Sequence, residues 1–153
     1  MSERILNLLE PSAVRLHSEA QDKTEVLTEL GNLLFQTGYV RESFVEAALQ
    51  RESQMPTGLP LEGRYNAAIP HTECEHVLKA GLALATLAKP VIFQNMIQPE
   101  EGVPVQLVIL MALDQPKSQV EMLQEIAGVL QNALVIEKLM EARDFQDIQK
   151  AFT

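Results

Sequence analysis

A chain of 153 residues, 46% of them apolar and 22% charged, has the size and composition of one soluble globular domain, expected here over residues 1–153. A formal net charge of −9 excludes the basic face that nucleic-acid binding needs, and one cysteine excludes an internal disulfide. The start MSERILNLLEPS has no basic segment with a long apolar stretch behind it, and no apolar run approaches the roughly 20 residues of a membrane span, so a cytoplasmic protein is expected.

Ile5, Leu6, Leu8 and Leu9 form a short apolar helix or turn that Pro11 closes, and Ala13–His17 alternates as a first strand. Asp22 with Glu25 three residues on resembles a capping box. It opens a helix with Val26, Leu27, Leu30, Leu33 and Leu34 on one face, and Gly38 supplies its left-handed cap. A second helix runs from about Arg41 to Gln54, burying Phe44, Val45, Ala48 and Leu49, until Pro56 stops it. Ala67–Ile69 reads as a short strand. Gly81–Leu87 and Val91–Met96 read as two strands parted by Lys89-Pro90 and paired antiparallel, because no helix fits between them. After a polar loop from Ile97 to Pro104, Val105–Leu113 is the most hydrophobic run and reads as a central strand buried on both faces. Pro116 starts a helix with a buried stripe of Val120, Leu123, Ile126, Ala127 and Leu130. Shorter helices follow over about Leu134–Glu141 and Phe145–Phe152, the last capped by Asp144. The expected architecture is α/β: a three-layer α/β/α sandwich with a mixed sheet of about five strands flanked by helices.

The stretch PTGLPLEGRYNAAIPHTECEH, Pro56 to His76, gathers the chemistry. It holds two of the three histidines and the only cysteine. Pro70 lacks an N–H and disfavours helix at Ile69, so the strand stops there and His71 stands just beyond it on stiff backbone. A group placed this way is rigid and reachable at once. The same loop offers a second reading, in which His71, Cys74 and His76 are zinc ligands.

The blocks RES-x-x-PTG and AIPH, with ILNLLEPSAVRL at the start and LDQPKSQVEMLQEIAGVL near the end, resemble the IIA phosphocarriers of the bacterial sugar phosphotransferase system, fructose/mannitol superfamily. The resemblance implies that His71 accepts a phosphoryl group from the phosphohistidine of HPr. His71 would then pass it to a IIB partner, which serves a IIC membrane permease. It implies a phosphotransferase component with a phosphohistidine intermediate and no cofactor. Two positions depart from the mannitol and fructose pattern: Gln119 stands where a second histidine is usual, and Pro56-Thr57-Gly58 replaces Ser-Thr-Gly. Pro-Thr-Gly with Pro-His-x-Glu-x-x-His is more similar to the galactitol-type branch. A regulatory module of the nitrogen-related type, phosphorylated on the same histidine but serving no transporter, is the alternative.

Phosphoryl transfer asks for positioning and for donors around the phosphoryl oxygens. Arg51, Thr57, backbone N–H groups near Gly58, and Gln119 are the candidates, with His76 as a substitute for the missing histidine. Each has a structural alternative: Arg51 as a cation at a helix end, Thr57-Gly58 as a turn, Gln119 as a helix-start residue, His76 as a solvated side chain. Glu73 and Glu75 read as solvated loop carboxylates, with the alternative that one orients an imidazole, and His17 as a strand residue without a role. Leu59 and Leu61 are the expected apolar docking patch.

Overall fold

The computed structural model describes residues 2–153. A five-stranded mixed sheet has the order β1-β4-β5-β3-β2, with strands β1 (Leu9–Ser18), β2 (Gly58–Leu59), β3 (Ala67–Ala68), β4 (Gly81–Gln94) and β5 (Gly102–Ala112). β1 runs parallel to β4 and β3 parallel to β5, while β4–β5 and β2–β3 are antiparallel. Helices α2 (Lys23–Gln36) and α3 (Phe44–Gln54) cover one face, and α1 (Glu3–Leu8), α4 (Pro116–Leu130), α5 (Ala133–Glu141) and α6 (Phe145–Ala151) the other. The three-layer α/β/α arrangement is the expected one. Among the described residues, no helix is long and apolar enough to cross a membrane.

The core follows from β5. Leu107, Ile109 and Met111 point into the layer shared with α4–α6, and Val108, Leu110 and Ala112 into the layer under α2 and α3. Each fully buried large aliphatic side chain here stabilises the fold by roughly 1.5–3 kcal/mol. The α2 cap forms as its residues suggest: the Glu25 N–H donates to the Asp22 carboxylate at 2.8 Å. Gly38 ends the helix at φ 87, a conformation that costs a residue with a Cβ.

Several elements differ from expectation, β2 among them, since Pro56–Gly58 reads as a turn. Pro11 lies inside β1, an edge strand, and falls in a register break between Leu9 and Val14, where a missing N–H is tolerated. The segments 81–87 and 91–96 are not two paired strands but one, β4, whose antiparallel partner is β5. Pro90 falls in a register break between Thr86 and Val91, where an irregular stretch tolerates it. β5 consequently begins at Gly102, inside the expected loop. On α4, Val120 is 56% exposed, and the buried positions are Met122, Ile126, Val129 and Leu130.

His17 sits at φ 55, with its N–H donating to Thr86 Oγ1 at 2.8 Å and Nε2 donating to the Ala142 carbonyl at 3.1 Å. It ties β1 to the end of α5.

Candidate active site

β3 ends where Pro70 removes the next ladder donor, and the Pro70 carbonyl accepts from the Met111 N–H at 2.9 Å. That bond holds His71 against the end of β5, half-buried. Its Nδ1 lies 3.1 Å from the carbonyl oxygen of Ile69. A carbonyl can only accept, so Nδ1 carries the proton and Nε2 keeps its lone pair. Burial lowers the imidazole pKa; the Ile69 hydrogen bond pulls it back up, the Arg51 cation pushes it down, and Glu73 raises it. The ring is therefore neutral at pH 7, the form that can act as a nucleophile.

The backbone after His71 is fixed from α4. Gln119, in the first turn of that helix, donates its Nε2–H to the Thr72 carbonyl at 2.7 Å. The buried Thr72 hydroxyl in turn donates to the Glu73 carbonyl at 2.9 Å.

Arg51 lies in the last turn of α3 and reaches over to this loop. Its Nη1 donates to Glu73 Oε2 at 2.6 Å, while its Nε is buried without a hydrogen-bond partner. Arg51 holds the Glu73 carboxyl below its usual range. Behind Arg51, Glu52 is only 2% exposed. Its two carboxylate oxygens accept the N–H and the hydroxyl of Thr57, both at 2.8 Å. Thr57 is thus turned onto Glu52 with both of its donors. Burial pushes the Glu52 carboxyl up to about 7, against the lowering pull of those two bonds. The next residue, Gly58, packs so closely that an added Cβ would lie 2.6 Å from the Gln94 carbonyl oxygen.

His76 ends a short 3₁₀ turn, Cys74–His76, and its Nδ1 lies 2.8 Å from the hydroxyl of Ser43. The His76 carbonyl accepts from the Arg41 N–H at 2.9 Å. A shallow cleft of about 490 Å³ runs between these groups, lined by Ser43, Glu46, Gln50, Arg51, Glu73 and His76. Cys74 is half-buried, and burial raises its thiol pKa. Among the described residues, no three His, Cys, Asp or Glu side chains stand where they could hold a metal ion.

Arg51 and His76 thus line one cleft, the Arg51 charge acts on His71, Gln119 holds the carbonyl of the residue after His71, and Thr57 is bonded to Glu52. Sequence reasoning missed Glu52 and left Glu73 as a solvated loop carboxylate, where the structure pairs it with Arg51. For Glu52 a signal exists: a carboxylate in the last turn of a helix opposes the macrodipole and needs a partner. Glu73 carries none, because its partner is 22 residues away in the chain. Leu59 and Leu61 are half-buried against the core, so the exposed apolar side chains beside the site are Val120, next to Gln119, and Met55, one turn beyond Arg51.

Residues 7–153 match the protein family described as the phosphoenolpyruvate-dependent sugar phosphotransferase system, EIIA 2. The chain is 33% identical over 132 residues to the galactitol-specific EIIA component of Escherichia coli K12, covering 86% of each protein. The crystal structure of the mannitol IIA of Escherichia coli superposes with a TM-score of 0.77 at 26% identity, over 95% of this chain and 99% of that one. The complex of mannitol IIA with phosphorylated mannitol IIB from Escherichia coli matches with a TM-score of 0.75 at 26% identity, over 94% of this chain and 96% of that one. By sequence and by fold, the chain belongs to the EIIA 2 family of the phosphoenolpyruvate-dependent sugar phosphotransferase system.

Proposed function

We propose that this chain is a cytoplasmic IIA phosphocarrier, one domain over residues 1–153, that relays a phosphoryl group through His71 for uptake of a galactitol-like polyol. The observation that carries the reading is the Nδ1–H of His71 held on the Ile69 carbonyl at 3.1 Å, which leaves Nε2 as a fixed, neutral nucleophile. The Nε2 lone pair attacks the phosphorus of phospho-HPr, the N–P bond of the donor breaks, and its electron pair returns to the donor imidazole. His71 then bears an Nε2–P bond and retains the Nδ1 proton. The positive charge on that ring is shared with the Ile69 carbonyl, which keeps the new N–P bond easy to cleave when a IIB nucleophile attacks in turn. Onward transfer regenerates the neutral ring.

The protein's part is placement and charge. Arg51 supplies the cation for the phosphoryl oxygens, Gln119 fixes the acceptor loop through Thr72, and Thr57 fixes Glu52, the residue after Arg51 on α3. His76 lines the same cleft as Arg51, and its bond with Ser43 ties the turn Cys74–His76 to the start of α3. Phospho-HPr and a IIB partner use the same rim in succession, since both must reach Nε2; IIB then serves its IIC permease. The galactitol-specific relative supports the substrate class, and the mannitol IIA–IIB complex supports the partner.

The test is reconstitution with enzyme I, HPr, and IIB and IIC components of galactitol and mannitol type. Phosphorylation of galactitol that depends on this chain is expected. Turnover with the mannitol components alone would overturn the polyol assignment while leaving the relay intact.

A further inference from the structure

Of the donors around His71, most are already engaged. Gln119 gives its Nε2–H to the Thr72 carbonyl, and Thr57 gives both its N–H and its hydroxyl to Glu52. Arg51 is different. One arm of its fork rests on Glu73 at 2.6 Å, while its Nε is buried and has no partner. The two ends of that pair are also unequally exposed: the Arg51 side chain is 24% accessible and the Glu73 side chain 50%. Glu73 is the more exposed of the two, so it loses less on giving up the contact than Arg51 does. Glu73 lies two residues past His71 on the same loop, and both charges act on the His71 imidazole, in opposite directions.

Resting on the phosphocarrier reading, we propose that Glu73 is a placeholder for the phosphoryl group: it occupies the Arg51 guanidinium in the resting protein and yields it when His71 is phosphorylated. A phosphoryl group brings close to two negative charges and three acceptor oxygens, against one charge on a carboxylate, so it outcompetes Glu73 for the fork. The exchange does two things. In the resting state it keeps the guanidinium aimed and partly neutralised beside an imidazole that must remain nucleophilic. In the phosphorylated state the displaced carboxylate competes to return, which lowers the stability of phospho-His71 and favours onward transfer. Glu73 is a positioning residue that acts through Arg51, and a relay benefits because neither state is held too tightly.

The experiment is a double-mutant cycle on the phosphorylation equilibrium. Wild type, Glu73→Gln, Arg51→Gln and the double variant are each equilibrated with a limiting pool of phospho-HPr, and phospho-His71 is quantified by intact mass. Transfer from the phosphorylated form to IIB is timed separately. Glu73→Gln is expected to move the equilibrium about tenfold towards the phosphorylated protein and to slow onward transfer by a similar factor. In the Arg51→Gln background the same change should have less than about a twofold effect. An equal gain in both backgrounds would mean that Glu73 merely repels the phosphoryl group, and would overturn the placeholder role. So would no gain in either. Failure of wild type to take up any phosphoryl group would instead overturn the underlying reading of His71, a result distinct from both.

Discussion

Gln119 donates its side-chain N–H to the backbone carbonyl of Thr72 at 2.7 Å, across 47 positions of sequence. That donor is committed to holding the loop after His71 rather than to holding charge. Removing that donor leaves the Thr72 carbonyl short of a partner. Gln119→Ala should therefore lower stability by roughly 0.5–1.5 kcal/mol and slow phosphoryl uptake by more than that loss explains. Urea melts and uptake rates measured on the same preparation check this. An unchanged rate with lowered stability would confine Gln119 to the fold.

Arg51→Lys keeps a cation near Glu73 but loses the planar fork and its buried Nε. Stability should change by less than about 1 kcal/mol, since the pair is partly exposed. Phosphoryl uptake should fall roughly tenfold or more, as expected when a bidentate donor to a phosphoryl group is lost. Quench-flow kinetics with phospho-HPr reads the difference. Equal rates at matched melting temperatures would return Arg51 to a helix-end role.

Glu52 makes stability pH-dependent. Burial raises its folded pKa from the ordinary 4.5 to about 7, so the folded state favours the protonated form. Its stabilising contribution is complete below about pH 4.5 and is lost as pH rises through about 7. Glu52→Gln has no such titration. Wild type should lose on the order of 3 kcal/mol relative to this variant between about pH 4.5 and pH 8. Denaturant midpoints across that window provide the comparison, and parallel curves would show that Glu52 is ionised throughout.

Val120 and Met55 are 56% and 58% exposed and flank the acceptor rim. Val120→Asp or Met55→Asp should raise the apparent KM for phospho-HPr about fivefold or more, through lost apolar contact at the centre of a docking face. Stability should move by no more than about 0.5 kcal/mol. If Leu61→Asp shifts KM and these do not, the docking face lies on the other side of the loop.

What was legible in the chain divides by range. The α2 cap at Asp22–Glu25 and the stop at Gly38 are local, decided within one turn, and both appear as read. The halt at Pro70 that exposes His71 is equally local. β2 escaped notice because a two-residue strand has no period of its own and exists only through its pairing with Ala67–Ala68. Pro90 was misleading because a proline ends a regular ladder but not one already interrupted by a register break. Val120 fits an apolar stripe by spacing, yet it is exposed, and the buried face of α4 is carried by Met122, Ile126, Val129 and Leu130. Within the site, His71 declares itself through its neighbours in sequence. The Arg51–Glu73 and Glu52–Thr57 pairs depend on how α3 is laid against the loop, which no local pattern encodes.

Site-resolved phosphorylation decides whether His71 Nε2 carries the phosphoryl group. The protein is incubated with phosphoenolpyruvate, enzyme I and HPr, then measured by intact mass and by 15N NMR of the histidine rings. One added phosphoryl group is expected, labile to acid and stable to base, on Nε2 of His71, with Nδ1 still protonated and no uptake by His71→Ala. Normal uptake by His71→Ala, or a phosphoryl group on Nδ1, would contradict it.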